Sequence, residues 1–200
     1  MKLEKIVLNE NIVIYKYLYD WNFSKESILK KIIENCIPNN KTPFGNTYEI
    51  VIKCKEVNEI HTIGINLCKS LTNIIDTEYS DTNFIYLQRN NTRHSISKQY
   101  HTHTNTIVNG KQVLNDWTYC FYLQMPNNIK NNESKIAFKD INDNVVYYLP
   151  KEGEFIIFDA ALQHGPEPIN NAECDRITIV GTIAFNIHQK IIPIIKAYYE

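Results

Sequence analysis

Residues 117–124 read Trp-Thr-Tyr-Cys-Phe-Tyr-Leu-Gln, and this run of aromatic and β-branched side chains decides the fold class. Such residues favour β-strands, and the run ends in a proline followed by paired asparagines, which are typical of a turn. Similar short segments, separated by turn signals, occur on both sides. The predicted strands are Phe84–Gln88, Ser95–His103, Trp117–Gln124, Lys135–Lys139, Val145–Leu149, Glu154–Asp159 and Arg176–Asn186. Seven short strands predict a β-sandwich or jelly roll.

The sequence has a different character before about residue 80. One helix is predicted to open at Ser24, and a second places apolar residues at three- and four-residue steps between Ile60 and Ile74. The segment Tyr48–Val57 between them favours a strand, and the apolar run Ile191–Ile195 fits either an edge strand or a short docking helix. We therefore expect a single domain over residues 1–200, mainly β with flanking helices (α+β), in which residues 1–80 form a helical support segment.

Composition narrows the classes of function. The chain has 200 residues, of which 44% are hydrophobic, and this is enough for one sizeable core. A net charge of −1 gives no general field that attracts polyanions, so nucleic acid is not an expected partner. The five cysteines are scattered and never form a Cys-x-x-Cys pair, which predicts free thiols in a reducing compartment.

Location is predicted from what the sequence lacks. No apolar run approaches the roughly 20 residues that a membrane-spanning helix needs, and the first residues show no signal-peptide pattern. We expect no membrane association and a cytoplasmic location. Asparagine, isoleucine and lysine are abundant, and because AT-rich codons encode them, the bias indicates a viral or microbial genome. For a virus, the location would be the cytoplasm of the host.

Three histidines form the candidate metal site. His101 and His103 are two residues apart on a predicted strand, so both side chains point to one side and can hold the same ion. His164, in the sequence Gln-His-Gly-Pro, is the candidate third ligand. The other histidines, His61, His94 and His188, are isolated in the sequence, so we leave them out of the site.

A carboxylate-binding group is predicted close by in the sequence. Arg176 is one of three arginines, and its guanidinium has the fork of donors that matches a carboxylate. Thr178 lies on the same strand face, where its hydroxyl can bind the same group. Tyr119 is a further candidate hydroxyl donor. The alternative for Arg176 is an ion pair at the surface with an acidic neighbour such as Glu173 or Asp175.

Taken together, these segments resemble the iron(II)- and 2-oxoglutarate-dependent oxygenases, in particular their small phage and microbial members. The resemblance rests on Tyr100–His103, Trp117–Pro126 and the run from Leu149 through His164-Gly165 to Arg176-Ile177-Thr178, and it covers about residues 84–187. It implies a double-stranded β-helix, a cupin-like jelly roll, with the N-terminal helices packed against it. It also implies Fe(II), 2-oxoglutarate as cosubstrate, O2, and hydroxylation of an amino acid, a peptide side chain or a small metabolite.

By this resemblance His101 and His164 are metal ligands, and Arg176 and Thr178 hold the far carboxylate of 2-oxoglutarate. The chain departs from the wider superfamily at His103, where most members have a carboxylate. His103 itself can be the ligand, Asp116 or Asp159 can supply a carboxylate, or the metal can be zinc, which three histidines also bind. Four polar residues are candidates for the mouth of the site: Gln88, Gln99, Asn105 and Asp116.

Two further classes of function remain open on the sequence. One is a three-histidine zinc enzyme, and the other is a non-catalytic jelly-roll module for binding or structure. The arginine favours the oxygenase over the zinc enzyme, because a dicarboxylate that chelates iron through its keto end leaves its other carboxylate to be bound.

Overall fold

The computed structural model describes residues 2–21, 23–34, 47–50, 54–72, 79–88, 100–108, 111–126, 133–167, 169 and 173–185. In chain order the elements are β1 (Glu4–Asn9), β2 (Ile12–Leu18), α1 (Lys25–Glu34), β3 (Thr47–Ile50), α2 (Lys55–Ser70), β4 (Tyr79–Gln88), β5 (Asn105–Val108), β6 (Lys111–Leu114), β7 (Trp117–Gln124), β8 (Ile136–Lys139), β9 (Val145–Tyr148), β10 (Glu154–Asp159), β11 (Gln163–Pro166) and β12 (Arg176–Phe185). Neither helix is long and apolar enough to cross a membrane.

Two facing sheets form the β core. The large sheet has the strand order β1-β2-β10-β7-β12-β4-β3, and the small sheet has the order β11-β8-β9. An antiparallel bridge between His101 and His164 adds the segment around His101 beside β11. Between β7 and β12 the chain alternates between the two sheets. It leaves the large sheet after β7, forms β8 and β9 in the small sheet, returns with β10, crosses again with β11 and ends in the large sheet with β12. This is the double-stranded β-helix that the family resemblance implies.

Each face of the large sheet buries a separate apolar core. Alternate side chains of β7 and β12, such as Phe121 and Ile179, pack with the two helices. The intervening side chains, such as Cys120 and Val180, face the small sheet and pack with Phe138. Because side chains alternate along a strand, Val180 identifies the face that lines the interior of the barrel. Residues an even number of positions from it, including 176 and 178, share that face.

The N-terminal region contains more than the helices expected there. Both predicted helices form and pack on the large sheet, but β1 and β2 also form a hairpin that joins this sheet beside β10. The predicted strand Tyr48–Val57 is wrong over its last three residues, which begin α2, while Thr47–Ile50 is β3. Val57 and Ile60 are both buried on one face of α2, and this explains why helix replaces strand there.

The predicted strand Ser95–His103 is reduced to the bridge at His101 within the described residues, since residues 89–99 lie outside them. The run Ile191–Ile195 also lies outside. The other predicted strands form with ends shifted by at most a few residues, and β4 begins five residues earlier than expected.

Candidate metal centre and carboxylate site

Backbone pairing brings the distant histidine segments together. The His101 N–H donates to the His164 carbonyl at 2.9 Å, and the His164 N–H donates back at 3.0 Å. The His103 N–H donates to the carbonyl of Ala160 at 2.9 Å, which fixes the chain two residues further on. β11, which carries His164, pairs with β8 of the small sheet on one side and with the segment that carries His101 and His103 on the other. The three side chains therefore meet at one end of the barrel.

The three rings form a compact triangle. Their centroids are 4.9 Å apart for His101 and His103, 4.5 Å for His101 and His164, and 5.0 Å for His103 and His164. One ligand nitrogen from each ring lies within 4.8 Å of the other two. A metal about 2.1 Å from three nitrogens needs them roughly 3.0–3.4 Å apart, so modest ring rotations complete the site.

The neighbours of His164 determine which of its nitrogens is available. Its Nδ1 lies 2.8 Å from the carbonyl oxygen of Leu162. A carbonyl only accepts hydrogen bonds, so Nδ1 carries the proton and Nε2 presents its lone pair. Phe158 packs against the ring with centroids 4.5 Å apart, and the histidine is only 3% exposed. The imidazole is thus held in the tautomer and orientation that a metal ligand needs.

Burial keeps the imidazoles of His103 and His164 neutral. Desolvation, with a smaller contribution from His101, lowers the pKa of His103 to about 4. Desolvation, followed by the neighbouring His101 and His103, lowers the pKa of His164 well below its ordinary value. Neutral imidazole is the form that binds metals, so neither ring must lose a proton at neutral pH to act as a ligand.

Asn115 fixes the backbone beside the triangle. Its Nδ2 donates to the His103 carbonyl at 2.5 Å, and its backbone N–H donates to the Thr104 carbonyl at 2.8 Å. No pattern in the sequence points to this residue, because its role depends on the fold bringing it beside His103.

Arg176 is buried in the barrel interior. It is 2% exposed, and its Nη1 donates to the carbonyls of Ser134 at 3.1 Å and Lys135 at 3.3 Å. A surface ion pair is therefore the wrong interpretation of this arginine. Thr178, 5% exposed, lies on the same face of β12, as predicted.

Comparison with known proteins places this geometry in context. No sequence profile of a known protein family matches the chain, and no curated protein matches it by sequence. Solved structures do match. The viral collagen prolyl hydroxylase of Paramecium bursaria Chlorella virus-1, in complex with 2-oxoglutarate, is 16% identical with a TM-score of 0.54, covering 84% of this chain and 94% of that one.

Two further structures give the same result. A prolyl hydroxylase from Trichoplax adhaerens, in complex with a peptide fragment of hypoxia inducible factor, is 13% identical with a TM-score of 0.56, covering 83% of this chain and 78% of that one. HygX from Streptomyces hygroscopicus, with nickel and 2-oxoglutarate bound, is 10% identical with a TM-score of 0.55, covering 86% of this chain and 82% of that one. The chain has the fold of the iron(II)- and 2-oxoglutarate-dependent oxygenases.

Within this oxygenase fold, neither aspartate considered as a ligand joins the histidines. Asp116 Oδ2 accepts the Phe185 N–H at 2.7 Å, and Asp159 Oδ1 accepts the Ala161 N–H at 2.7 Å. Among the described residues, the three histidines are the one group of His, Cys, Asp or Glu side chains arranged to hold a metal. The alternative in which Asp116 or Asp159 supplies a carboxylate is therefore wrong.

The prediction for Tyr119 is also wrong, because this side chain points away from the barrel. It packs in the core beneath the helices, and its hydroxyl lies 2.5 Å from His61 Nδ1. A Cβ on Gly64 or Gly181 would overlap its ring, so both positions need glycine to leave room for the tyrosine. His61 also contacts Asp81 at 3.3 Å and, as predicted, lies outside the metal group.

Tyr122 is the tyrosine of β7 that faces the barrel interior. It packs in the core between the two sheets and pairs in register with Thr178 on β12. Burial raises its pKa well above the ordinary value, while the nearby charge of Arg176 acts in the opposite direction. Tyr122 and Tyr119 are an odd number of positions apart, so the alternation of the strand separates them; the sequence does not show which face the helices cover.

Gln88 is the one predicted mouth residue that lies beside the arginine. It pairs in register with Arg176, and its Nε2 donates to the Glu167 carbonyl at 3.3 Å. It therefore lies by the arginine rather than by the histidines. Asn105 begins β5, and Gln99 lies outside the described residues.

Proposed function

We propose that this protein is an iron(II)- and 2-oxoglutarate-dependent oxygenase in which His101, His103 and His164 hold the metal. The observation that carries the proposal is the conjunction of this histidine triangle and a buried arginine within one double-stranded β-helix. Either feature alone fits several functions, since jelly rolls include lectins and capsid proteins as well as enzymes. Together they fit a chelating ligand that also carries a carboxylate.

The donor set suits a divalent transition metal. Three neutral imidazoles supply nitrogen ligands on one side of the ion and leave its remaining positions for small molecules. Compared with two histidines and a carboxylate, the set carries one negative charge less, so a dianionic cosubstrate has a correspondingly greater role in neutralising the ion. When bound, iron(II) would couple the oxidative decarboxylation of 2-oxoglutarate by O2, which gives succinate and CO2, to hydroxylation of a substrate C–H bond.

The cosubstrate would lie inside the barrel. We assign its far carboxylate to Arg176 and Thr178, with Tyr122 as an additional hydroxyl from the neighbouring strand. Burial of the guanidinium strengthens its attraction for a carboxylate, because water screens the pair less there. The side chains of Phe158 and Phe84 pack against His164 and His103 and help keep water from the metal end.

A three-histidine zinc enzyme is the second candidate, and the absence of a carboxylate from the described ligand group favours it. The buried arginine argues against it. Zinc-catalysed hydration or hydrolysis has no need of a guanidinium inside the same barrel, whereas a keto acid with a second carboxylate does. A non-catalytic jelly roll would explain neither feature.

We propose a peptidyl or small-molecule substrate, with O2 as the other reactant. Among the structural neighbours, one is described in complex with a peptide and another with hygromycin B, so the fold serves both kinds of ligand. The net charge of −1 disfavours nucleic acid.

The function is tested by measuring succinate after incubation of the protein with Fe(II), 2-oxoglutarate and O2, omitting each in turn. Slow turnover without the true substrate should give succinate only when all three are present, and zinc should inhibit by occupying the same ligands. The variant His61→Gln serves as a control, since it removes a histidine outside the triangle. Tight zinc binding, no affinity for 2-oxoglutarate under anaerobic Fe(II) loading, and hydrolysis or hydration without O2 would together refute the proposal.

A further inference from the structure

Ser134, in the turn before β8, combines two unfavourable features. Its φ of 59° lies in the left-handed region, which costs a residue with a Cβ more than it costs glycine. Its side chain is fully buried, and the hydroxyl has no hydrogen-bond partner among the residues that the structure describes. A buried hydroxyl without a partner loses its bonds to water and gains nothing in return. The fold therefore keeps a serine at a position where glycine suits the backbone better.

The surroundings of Ser134 connect it to the proposed carboxylate site. Its carbonyl accepts Nη1 of Arg176 at 3.1 Å, and the same Nη1 donates to the Lys135 carbonyl at 3.3 Å. The Lys135 carbonyl also accepts the Glu167 N–H at 2.9 Å, and the Glu167 carbonyl accepts Nε2 of Gln88. Gln88 is 5% exposed, and its Oε1 has no hydrogen-bond partner within the described part of the chain. One chain of hydrogen bonds thus links two unsatisfied buried polar side chains to the guanidinium.

A carboxylate bound at Arg176 would supply the acceptor that the Ser134 hydroxyl lacks, whereas the Gln88 Oε1 is itself an acceptor and would gain nothing from it. A carboxylate offers about four lone-pair positions, and Nη1 of the arginine already donates to two carbonyls. The ligand therefore needs donors besides the guanidinium. Besides the hydroxyls of Thr178 and Tyr122, the Ser134 hydroxyl is such a donor, and it belongs to the residue whose carbonyl binds the arginine. Strained residues of this kind are enriched at active sites and ligand-binding sites.

We infer that Ser134 is a specificity residue whose hydroxyl donates to the far carboxylate of the keto acid, so that the site prefers dicarboxylates to monocarboxylates. The inference rests on the proposed function. A residue with a merely structural role would stabilise the fold. Ser134 should instead destabilise the free protein and contribute a favourable interaction only when the ligand is bound.

The test compares wild type with Ser134→Ala and Ser134→Gly, each loaded with Mn(II) without O2. Calorimetric titration with 2-oxoglutarate should show affinity weakened about tenfold or more in both variants, because a hydrogen bond to a charged group is lost. Titration with pyruvate, which lacks the far carboxylate, should show no change. Without ligand, the melting temperature of Ser134→Gly should rise by about 2–4 °C, since the strain and the unsatisfied hydroxyl are both removed.

Each contrary result has a distinct meaning. If wild type binds 2-oxoglutarate and both variants bind it equally well, Ser134 is not part of the site and the inference is refuted alone. Equal weakening for pyruvate and 2-oxoglutarate would also refute it, because the change would then act at the metal end. A wild type that binds neither keto acid refutes the proposed function and this inference with it.

Discussion

Replacement of Arg176 by alanine should change two measurable quantities, the affinity for 2-oxoglutarate and the free energy of unfolding. Loss of a charge-assisted contact in a buried site should weaken 2-oxoglutarate binding by about 2–4 kcal/mol, or roughly 30- to 1,000-fold. The fold also loses a donor. The Lys135 carbonyl keeps the Glu167 N–H as a partner, whereas the Ser134 carbonyl loses the hydrogen bond from Arg176. That loss should destabilise the free protein by about 1–3 kcal/mol.

The assay is a titration of the Mn(II)-loaded variants with 2-oxoglutarate, alongside metal binding and thermal unfolding. Metal affinity should be nearly unchanged, because the triangle contains no residue of β12. Arg176→Lys should fall between wild type and alanine, since lysine keeps the charge but not the fork of donors. Equal affinity for 2-oxoglutarate in wild type and Arg176→Ala would refute the carboxylate assignment, even if the variant unfolds at a lower temperature.

Four further predictions concern the metal ligands, the pH dependence of stability and the two tyrosines of β7. Alanine at His101 or His164 should remove most bound metal by elemental analysis, and added metal should then no longer raise the melting temperature; full metal content in both variants would contradict the assignment. His103→Asp should keep or strengthen Fe(II) binding and His103→Ala should weaken it, and equal Fe(II) binding by His103→Ala and wild type would show that this position is not a ligand. Without metal, the neutral forms of His103 and His164 make the folded state take up fewer protons than the unfolded chain, so the contribution of these two histidines to stability should be constant above about pH 6.5 and decrease as the pH falls toward about 4, by roughly 3 kcal/mol for His103 alone; His103→Gln should reduce this decrease in acid unfolding curves. Tyr122→Phe should weaken 2-oxoglutarate binding, whereas Tyr119→Phe should lower only the melting temperature, and the opposite order in titration would restore the prediction made from sequence.

The parts of the fold that the sequence predicts are those with a local signal. β7 and β10 form with the predicted ends because each combines β-favouring residues with turn signals on both sides. The histidine pair is predicted because a spacing of two fixes a shared direction. The sequence does not predict the hairpin of β1 and β2, although both strands lie within the first 18 residues. Its place beside β10 is a long-range contact that no local pattern shows.

The error over Tyr119 has a different physical origin. Alternation assigns residues of β7 to two faces, but the sequence of this strand is apolar on both, since one face lies against the helices and the other against the small sheet. Only the tertiary arrangement identifies the barrel side. The same limit explains Ser134 and Asn115, whose importance comes from contacts with the arginine and with His103.

The most direct test of the central claim is a crystal structure of the protein with Mn(II) and 2-oxoglutarate, grown without O2. The account predicts one metal ion about 2.1–2.2 Å from a nitrogen of each of His101, His103 and His164. It also predicts 2-oxoglutarate chelating that ion through its keto end, with the far carboxylate within hydrogen-bond distance of Arg176. A metal bound by other residues, or 2-oxoglutarate lying outside the barrel with Arg176 still enclosed by protein carbonyls, would contradict it.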